Sequence, residues 1–242
     1  MTLSKLSDSI GDDITKCRNK CEGTEKQPSK GIYPRCFYPE IQRRKSARLD
    51  YIVIGINPGE ATALEKAFTK YIRHHNPRGR KWNLGFRDIR SVMKPIIESN
   101  DYNYYKPVRA FLKLYPDNKK KRKLNILWTE LVKCQSKLKN KHLKNSTMEK
   151  CFHKFLKNEI EKFTEAKHRK PLLILLGREV QNFFEDHQEE NSPKKKMRKL
   201  NYLALHHPRS WGKFHSYFLQ NNIQNQLKPN IKKPSPVFLF FD

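Results

Sequence analysis

The sequence predicts an α/β fold, a three-layer α/β/α sandwich with a central, mostly parallel four-stranded sheet. Two observations lead to this prediction. Short apolar runs rich in branched residues alternate along the chain with longer segments in which apolar residues recur at helical spacing. The long connections between these runs are typical of crossovers between parallel strands. The 242 residues are enough for one domain with insertions.

Four apolar runs have the length and composition of buried parallel strands. Each run is bounded by charged or turn-forming residues, which mark its ends. The strands are predicted at YIVIG (51–55), LNILWT (124–129), PLLILLG (171–177) and NYLALHHP (201–208).

The segments between the strands carry helical patterns. Helices are predicted to start at Ala61 (ATALEKAFTKYIRHH), Phe86 (FRDIRSVMKPIIES), Ser146 (STMEKCFHKFLKNEIEKFTEA) and Gly177 (GREVQNFFEDH). Ser146 is followed three residues later by Glu149, which is the pattern of a capping box at a helix start.

Three segments lie outside this alternation. Residues 1–48 form an N-terminal segment, and the charged insertion HQEENSPKKKMRK (187–199) is expected to be a mobile loop. Residues 228–242 form a tail broken by prolines, whose last apolar residues are expected to dock as an edge strand. We expect all of 1–242 to belong to a single domain.

The chain is strongly basic, with 51 Lys and Arg against 24 Asp and Glu and a formal charge of +27. Solubility requires far less charge than this, so a polyanion such as nucleic acid is the expected partner. A Lys- and Asn-rich composition driven by an AT-rich genome is the alternative, but it does not explain the shortage of acidic residues. The basic residues concentrate in the stretches 43–48, 73–81, 119–123, 133–144, 194–199 and 228–233.

No apolar stretch approaches the roughly 18 residues needed to cross a bilayer, and the N-terminus lacks the apolar core of a signal peptide. We therefore expect a cytoplasmic protein without membrane contact. Five cysteines, an odd number, argue against a disulfide framework in a reducing compartment. Metal ligation and plain core packing remain as their roles.

Polar residues and turn formers follow three of the predicted strands, where open α/β sheets bind their ligands. The segments GINPG (55–59) and HHPRS (206–210) resemble the two catalytic motifs of the uracil-DNA glycosylase superfamily. TELVKC (129–134) is similar to the TNxVKC segment of the iron-sulfur members of that superfamily. The similarity runs as an ordered series of motifs over roughly residues 12–220.

The resemblance implies a monofunctional DNA glycosylase, an enzyme that flips a pyrimidine out of DNA and hydrolyses its N-glycosidic bond. Such a reaction needs a positioned water at the sugar and a hydrogen-bond donor to the departing base. By the resemblance, Asn57 would hold the water, and His207 rather than its neighbour His206 would donate to the base. A histidine-capped turn is the structural alternative. The remaining residues of the first motif would line the base, at Gly55, Ile56, Pro58 and Gly59.

Two further segments resemble parts of the superfamily that handle the flipped base and the DNA. GRKWNLGF is similar to the GRPFVG segment that carries a stacking aromatic, which implies Trp82 as the stacking residue and Phe86 as its fallback. Either ring could instead belong to the core. PRSWGKF resembles the loop that enters the minor groove. The residues implied there as DNA-binding are Arg209, Ser210, Trp211 and Lys213.

Glu130 departs from the superfamily pattern, because TNxVKC has Asn where this chain has Glu. The Asn reads uracil by donating to O4 and accepting from N3–H, whereas a carboxylate only accepts. The amino group of cytosine suits an acceptor better, which favours a cytosine-type base, including the hypermodified cytosines that antiviral members of the superfamily remove. Cytosine is a poor leaving group, so the site would have to protonate it, for which a buried Glu130 is suited. The alternative is that Glu130 pairs with a lysine.

The cysteines resemble the ligand set of the iron-sulfur members. Cys134 and Cys151 are separated by 16 residues, and Cys17 with Cys21 would supply the N-terminal pair of a structural [4Fe-4S] cluster. The N-terminal pair is C-x3-C rather than C-x2-C, and Cys36 is a competing ligand. Structural zinc and unliganded thiols are the alternatives, and no catalytic metal is expected.

These expectations describe a monomeric DNA glycosylase acting in antiviral defence on modified cytosine, with base-excision repair of uracil as the alternative. A weakly active member that binds DNA or captures abasic sites is a second class, since His74 and His75 lie in the basic loop RHHNPRG. A basic RNA- or ribosome-associated protein is a third class, although it does not explain motifs at three strand ends.

Overall fold

The computed structural model of the chain describes just over half of its residues. For residues 196–200 and 235–241, only the backbone is described. The described residues are 10–25, 32, 34–35, 37–41, 49–56, 66–67, 70–71, 74, 86–98, 104–114, 123–136, 143–165, 170–187, 196–205, 207 and 235–241.

Eight strands are formed within these ranges. Two of them are two-residue strands paired with each other, β1 and β5. The strands are β1 (Thr24–Glu25), β2 (Tyr38–Ile41), β3 (Tyr51–Gly55), β4 (Asn125–Glu130), β5 (Gln135–Ser136), β6 (Leu172–Leu176), β7 (Lys196–Leu205) and β8 (Ser235–Phe241).

In the described part of the chain, helices lie between β3 and β4, between β5 and β6, and between β6 and β7. A π-helical stretch, Phe152–Leu156, joins the helix that ends at Cys151 to the helix that begins at Lys157 without a break. The helices are α1 (Phe86–Glu98), α2 (Tyr105–Leu114), α3 (Asn145–Cys151), α4 (Lys157–Glu165) and α5 (Arg178–Asp186); residues 10–15, 66–67, 70–71 and 74 are also helical.

The main sheet has six strands in the order β2-β4-β3-β6-β7-β8. β3 runs parallel to β6 and β6 runs parallel to β7, while β8 is antiparallel to β7. The four predicted strands are therefore confirmed as neighbours in a mostly parallel sheet, which confirms the α/β class. The predicted strand number was too low, since one strand is added at each edge. The covering of both sheet faces by helices stays a prediction.

The two added edge strands differ in how visible they are in the sequence. The apolar end of the tail was expected to dock at an edge, and β8 does so. β2 has the sequence YPEI, in which a proline and a glutamate interrupt the apolar pattern. Proline is tolerated on edge strands because its missing N–H costs no ladder hydrogen bond there, so this strand carries little signal of its own.

The prediction that 187–199 is a loop was wrong for its last residues. β7 begins at Lys196, five residues before the predicted strand. Its charged half is paired with β8, from Lys196 opposite Phe241 to Tyr202 opposite Ser235. The backbone hydrogen bonds of this long-range pairing stabilise strand geometry that a run of lysines does not indicate.

The predicted capping box at Ser146 was also wrong. α3 begins at Asn145, its N-cap residue is Lys144, and no side chain caps the helix start. The helix starts two residues too early for Ser146 to take the capping position. The Thr147 hydroxyl of this turn instead donates to Glu22 O at 3.1 Å, which ties the helix to the N-terminal segment.

The chain divides into two compact units, each made of several stretches of sequence. Unit 1 comprises 1–39, 56–96 and 128–166, and unit 2 comprises 40–55, 97–127 and 167–242. The expectation of one domain stays a prediction.

An aromatic cluster marks the core of unit 1. The Phe37 ring lies 5.1 Å from that of Phe86 and 5.2 Å from that of Phe163, between ring centroids. The core of unit 2 consists of the branched side chains of its parallel strands; Ile52, Ile54 and Leu173 are fully buried. In no described range is there a helix long and apolar enough to cross a membrane.

Candidate active site and cysteine pocket

Residues near the carboxyl ends of the parallel strands β3, β6 and β7 share one row of the sheet. Ile54 pairs with Leu175, and Leu175 pairs with Ala204. Because neighbouring strands are about 4.8 Å apart, Ile54 and Ala204 are separated by about 10 Å across β6. His207 follows Ala204 by three residues, and Asn57, outside the described residues, follows Ile54 by the same number. The strands that precede these motifs in the sequence, β3 and β7, therefore end on the same side of the sheet.

His207 lies against the turn that joins β6 to α5. Its ring centroid is 5.5 Å from that of Tyr104, and the rings are tilted by 58°. Leu205 O accepts two hydrogen bonds, from the Gly177 N–H at 2.8 Å and from Gln181 Nε2 at 2.9 Å. These bonds fix the chain two residues before His207. The side chain is partly exposed, as a residue that contacts a ligand must be.

Glu130 ends β4, and the turn that follows it contacts Ile56, the residue after β3. The Val132 N–H donates to Ile56 O at 2.9 Å and holds the turn after Glu130 in place. The residue as a whole is partly exposed, yet its carboxylate Oε2 is enclosed and has no hydrogen-bond partner within the described part of the chain. Burial raises the pKa of Glu130 to about 7, opposed by the positive charges of Arg35 and Lys133.

A buried ion pair lies in the turn that follows Glu130. Lys133 Nζ is 2.7 Å from Glu159 Oε1 in an ionic contact and donates a hydrogen bond to Glu159 Oε2 at 2.9 Å. The Thr129 hydroxyl accepts from Lys133 Nζ and donates to Glu159 Oε2, both at 2.6 Å. The side chains of Lys133 and Glu159 are 1% and 0% exposed. Burial raises the pKa of Glu159, and Lys133 and Thr129 oppose this.

The backbone of Lys133 connects this ion pair to two other parts of unit 1. Its N–H donates to the Cys151 sulfur at 3.3 Å, and its C=O accepts from the Arg35 N–H at 2.7 Å. One residue thus joins β4, the N-terminal segment and α3. The basic stretch 133–144 was expected to contribute charge for a polyanionic partner. For Lys133 this expectation was wrong, because its side chain is buried. The lysine within the apolar stretch LVKC could have indicated a buried ion pair, since a buried lysine must have a partner.

The four cysteines suggested as metal ligands line one pocket. Cys134 and Cys151 are buried, Cys17 and Cys21 are partly exposed, and none of the four is in a disulfide. The enclosed space is about 10 Å³, the size of one water-sized sphere. The other residues that line the pocket are Asn19, Pro34, Val132, Lys133, Lys150 and Phe155.

The sulfur donors suit a thiolate-bound metal, and two lysines at the pocket would stabilise thiolates. Burial raises the pKa of Cys151 to about 11, although Lys133 opposes this through its charge and its N–H. Cys151 is therefore a thiol at neutral pH until a metal displaces its proton. No three His, Cys, Asp or Glu side chains of the described ranges stand close enough to share a metal ion in this arrangement. A metal would have to draw the sulfurs together, and a cluster would also need a larger space.

Phe86, the fallback stacking residue, is a core residue. It is 1% exposed, its ring packs on Phe37, and its N–H donates to Asp12 Oδ1 at 2.9 Å. A ring enclosed in this way has no free face for a base, so its position agrees with the core alternative. The other residues suggested for the base and the DNA lie outside the described residues; they are Pro58, Gly59, Trp82, Arg209, Ser210, Trp211 and Lys213, and so does the competing ligand Cys36.

The sequence matches no known protein-family model, and no curated protein matches it at a significant level.

Proposed function

We propose that the chain is a monofunctional DNA glycosylase that removes a cytosine-type base from DNA and leaves an abasic site. The observation that carries the proposal is the shared row of Ile54 and Ala204, near the carboxyl ends of the two strands that GINPG and HHPRS follow in the sequence. Such strand ends are where parallel sheets bind ligands. The net charge of +27 supports a nucleic acid as the partner.

In the proposed reaction, water attacks C1′ of the sugar while the bond from C1′ to the base nitrogen breaks. The electron pair of that bond leaves with the base, the water oxygen becomes the hydroxyl on C1′, and the other water proton passes to solvent. Asn57 holds the water through its amide donor and acceptor. His207 donates a hydrogen bond to O2 of the base, where negative charge grows as the bond stretches.

The base is proposed to be of the cytosine type because Glu130 can supply the proton that cytosine, a poor leaving group, needs in order to depart. Its enclosed carboxylate has an oxygen without a partner in the described part of the chain, and a hydrogen bond from a bound base would satisfy it. We propose a modified cytosine of viral DNA as the substrate, in a monomeric cytoplasmic enzyme of antiviral defence. Release of uracil in base-excision repair is the alternative outcome of the test below.

The cysteine pocket is proposed to hold a structural metal centre, a [4Fe-4S] cluster or zinc, bound by Cys17, Cys21, Cys134 and Cys151. Such a centre would tie the N-terminal segment to α3 and to the turn after β4, and it takes no part in the chemistry. Iron, sulfide and zinc analysis of the purified protein distinguishes the two centres. Cys151→Ser should release the metal, whereas Cys36→Ser should keep it; full retention in Cys151→Ser contradicts the assignment.

The activity is tested on duplexes that carry one uracil, cytosine, hydroxymethylcytosine or glucosylated hydroxymethylcytosine. Abasic sites are detected by alkaline strand cleavage, and the released base is identified by mass spectrometry. We expect release of a cytosine-type base. Asn57→Ala and His207→Ala should each lower the rate about a hundredfold to a thousandfold, as the loss of a hydrogen bond to a developing charge does elsewhere.

Two controls separate catalysis from folding. His206→Ala changes the neighbouring histidine and should release the base at nearly the wild-type rate. Asn57→Asp should be faster than wild type, because a carboxylate is a stronger base toward the water than an amide. The opposite result has two parts: wild type releases no base from any duplex, and Asn57→Ala shifts DNA in a gel with the same affinity as wild type. That result would identify a DNA-binding protein rather than a glycosylase.

A further inference from the structure

Glu130 poses a problem if it reads a base as a carboxylate. An ionised carboxylate offers acceptors on both oxygens. Facing cytosine, one oxygen accepts from the N4 amino group while the other meets the N3 lone pair. Facing uracil, one oxygen accepts from N3–H while the other meets O4. Each pairing therefore combines one hydrogen bond with one repulsive contact.

A neutral carboxylic acid resolves this conflict for both bases. Its O–H is a donor and its C=O is an acceptor, the same pair of functions that an Asn amide presents. With cytosine, the C=O accepts from N4–H and the O–H donates to N3. With uracil, the O–H donates to O4 and the C=O accepts from N3–H. Moving the proton from one oxygen to the other exchanges the two patterns.

We propose that Glu130 binds the flipped base as a neutral carboxylic acid, so that one side chain pairs with the Watson–Crick edge of either a cytosine or a uracil. This inference rests on the proposed glycosylase function and adds to it the protonation state and the base range of the site. It follows from the enclosed Oε2 without a partner in the described part of the chain and from the place of Glu130 at the end of β4, before the turn that the Val132 N–H bonds to Ile56 O.

The charged groups around Glu130 explain why the neutral form persists. Arg35, from the N-terminal segment, and Lys133, from the turn after β4, are the cations that act on its carboxyl group. Glu159 of α4 contacts Lys133 at 2.7 Å, and Thr129 accepts a hydrogen bond from it. The positive charge of Lys133 is thus shared between Glu159 and Glu130. Desolvation then outweighs the remaining attraction, which agrees with the pKa of about 7.

The same proton can assist the departure of cytosine. When the glycosidic bond breaks, its electron pair moves to N1 of the base, and the Glu130 proton passes to N3. The base leaves as neutral cytosine, Glu130 becomes a carboxylate, and the attacking water loses a proton to solvent as its oxygen bonds to C1′. A solvent proton then restores Glu130. Uracil can depart as an anion, so it depends on Glu130 for binding more than for proton transfer.

The test compares wild type with Glu130→Gln between pH 5.5 and 9, since the amide keeps a donor and an acceptor but cannot ionise. Binding is measured on a duplex with a non-cleavable 2′-fluoro nucleotide bearing hydroxymethylcytosine or uracil, and single-turnover base release on the cleavable duplexes. For wild type we expect affinity for both bases to fall about tenfold per pH unit above pH 7. Glu130→Gln should lack this fall on both bases, and its release of cytosine should be slower at pH 6.

The outcomes separate this inference from the proposed function. If no base is released but the pH dependence of binding differs between wild type and Glu130→Gln as expected, the glycosylase proposal is wrong. Binding of the base by a neutral Glu130 is then still supported. If base is released but wild type and Glu130→Gln bind with the same pH dependence, the glycosylase proposal is supported. Binding of the base by a neutral Glu130 is then overturned. A carbon-13 titration of the Glu130 carboxyl, assigned with Glu130→Gln, gives an independent readout; a midpoint near the ordinary value of 4.5 would also overturn it.

Discussion

The backbone of Gly177 lies against the side chain of His207. A Cβ added at Gly177 would be 3.3 Å from Cβ and 3.6 Å from Cδ2 of His207. Gly177 also has φ +93° and ψ 156°, a backbone conformation that only glycine adopts without strain. The glycine that ends β6 thus sets the distance between the start of α5 and the histidine.

Gly177→Ala should therefore lower both stability and base release. The strained backbone should reduce the free energy of unfolding by about 1–3 kcal/mol, measured by urea denaturation. The methyl group should also displace His207 and slow base release in protein that is fully folded.

Gly23→Ala is the matched control for this prediction. Gly23 has φ +76°, but its added Cβ would meet only Leu143 Cδ2 at 3.5 Å, an ordinary contact in unit 1. This variant should lose stability through backbone strain while base release by the folded protein changes much less. Equal losses of base release in the two variants would show that His207 does not depend on its contact with Gly177.

Lys133→Met should be strongly destabilising, because it leaves the Glu159 carboxyl buried without its cation. Removal of one partner of a buried pair costs about 3–5 kcal/mol, whereas replacement of both partners is often far milder. We expect the double variant Lys133→Met/Glu159→Leu to recover much of the free energy of unfolding in urea. Additive losses in the double variant would mean that the two side chains do not stabilise each other.

Stability should depend on pH through Glu130. Its pKa is raised from 4.5 in the unfolded chain to about 7 in the folded protein, so the folded protein holds this proton more tightly. Its contribution is fully present below pH 4.5 and is lost as pH rises through 7. At about 1.4 kcal/mol per pH unit, the upper limit of the loss is about 3 kcal/mol.

Urea denaturation of wild type and Glu130→Gln at several pH values isolates this contribution, because every other group is common to both proteins. The free energy of unfolding of wild type should fall relative to that of the variant between pH 4.5 and 7 and stay level above. A difference that is constant over this range would show that Glu130 titrates normally in the fold.

Phe86→Ala should act on stability first. Removal of a buried phenylalanine costs about 3–5 kcal/mol, and this ring packs on Phe37 in the core of unit 1. Trp82→Ala, at the position first suggested for stacking, should instead weaken binding of flipped-base duplexes with a small change in the free energy of unfolding. The opposite pattern would exchange the roles of the two aromatics.

Local sequence patterns were sufficient to predict the strands and helices whose apolar residues follow a regular spacing. The strand YIVIG was placed at its observed bounds, and the helices at Phe86 and Gly177 were placed to within a residue or so at the start. Continuous branched runs and helical spacing are local properties, so they are readable without the fold. α2 was missed although it is helical from Tyr105 to Leu114, since Tyr104, the residue before it, is not of a type that typically caps a helix start.

The sequence by itself also determined the basic charge, the polar strand ends and the set of cysteines. Only the tertiary structure decided that Lys133 is buried with Glu159, that Phe86 is core and that four distant cysteines line one pocket. The physical reason is that burial and pairing depend on contacts between residues far apart in the chain. The sequence does not tell whether a lysine or a carboxyl group is exposed to water or buried in the core. Its charge state depends on the groups that surround it.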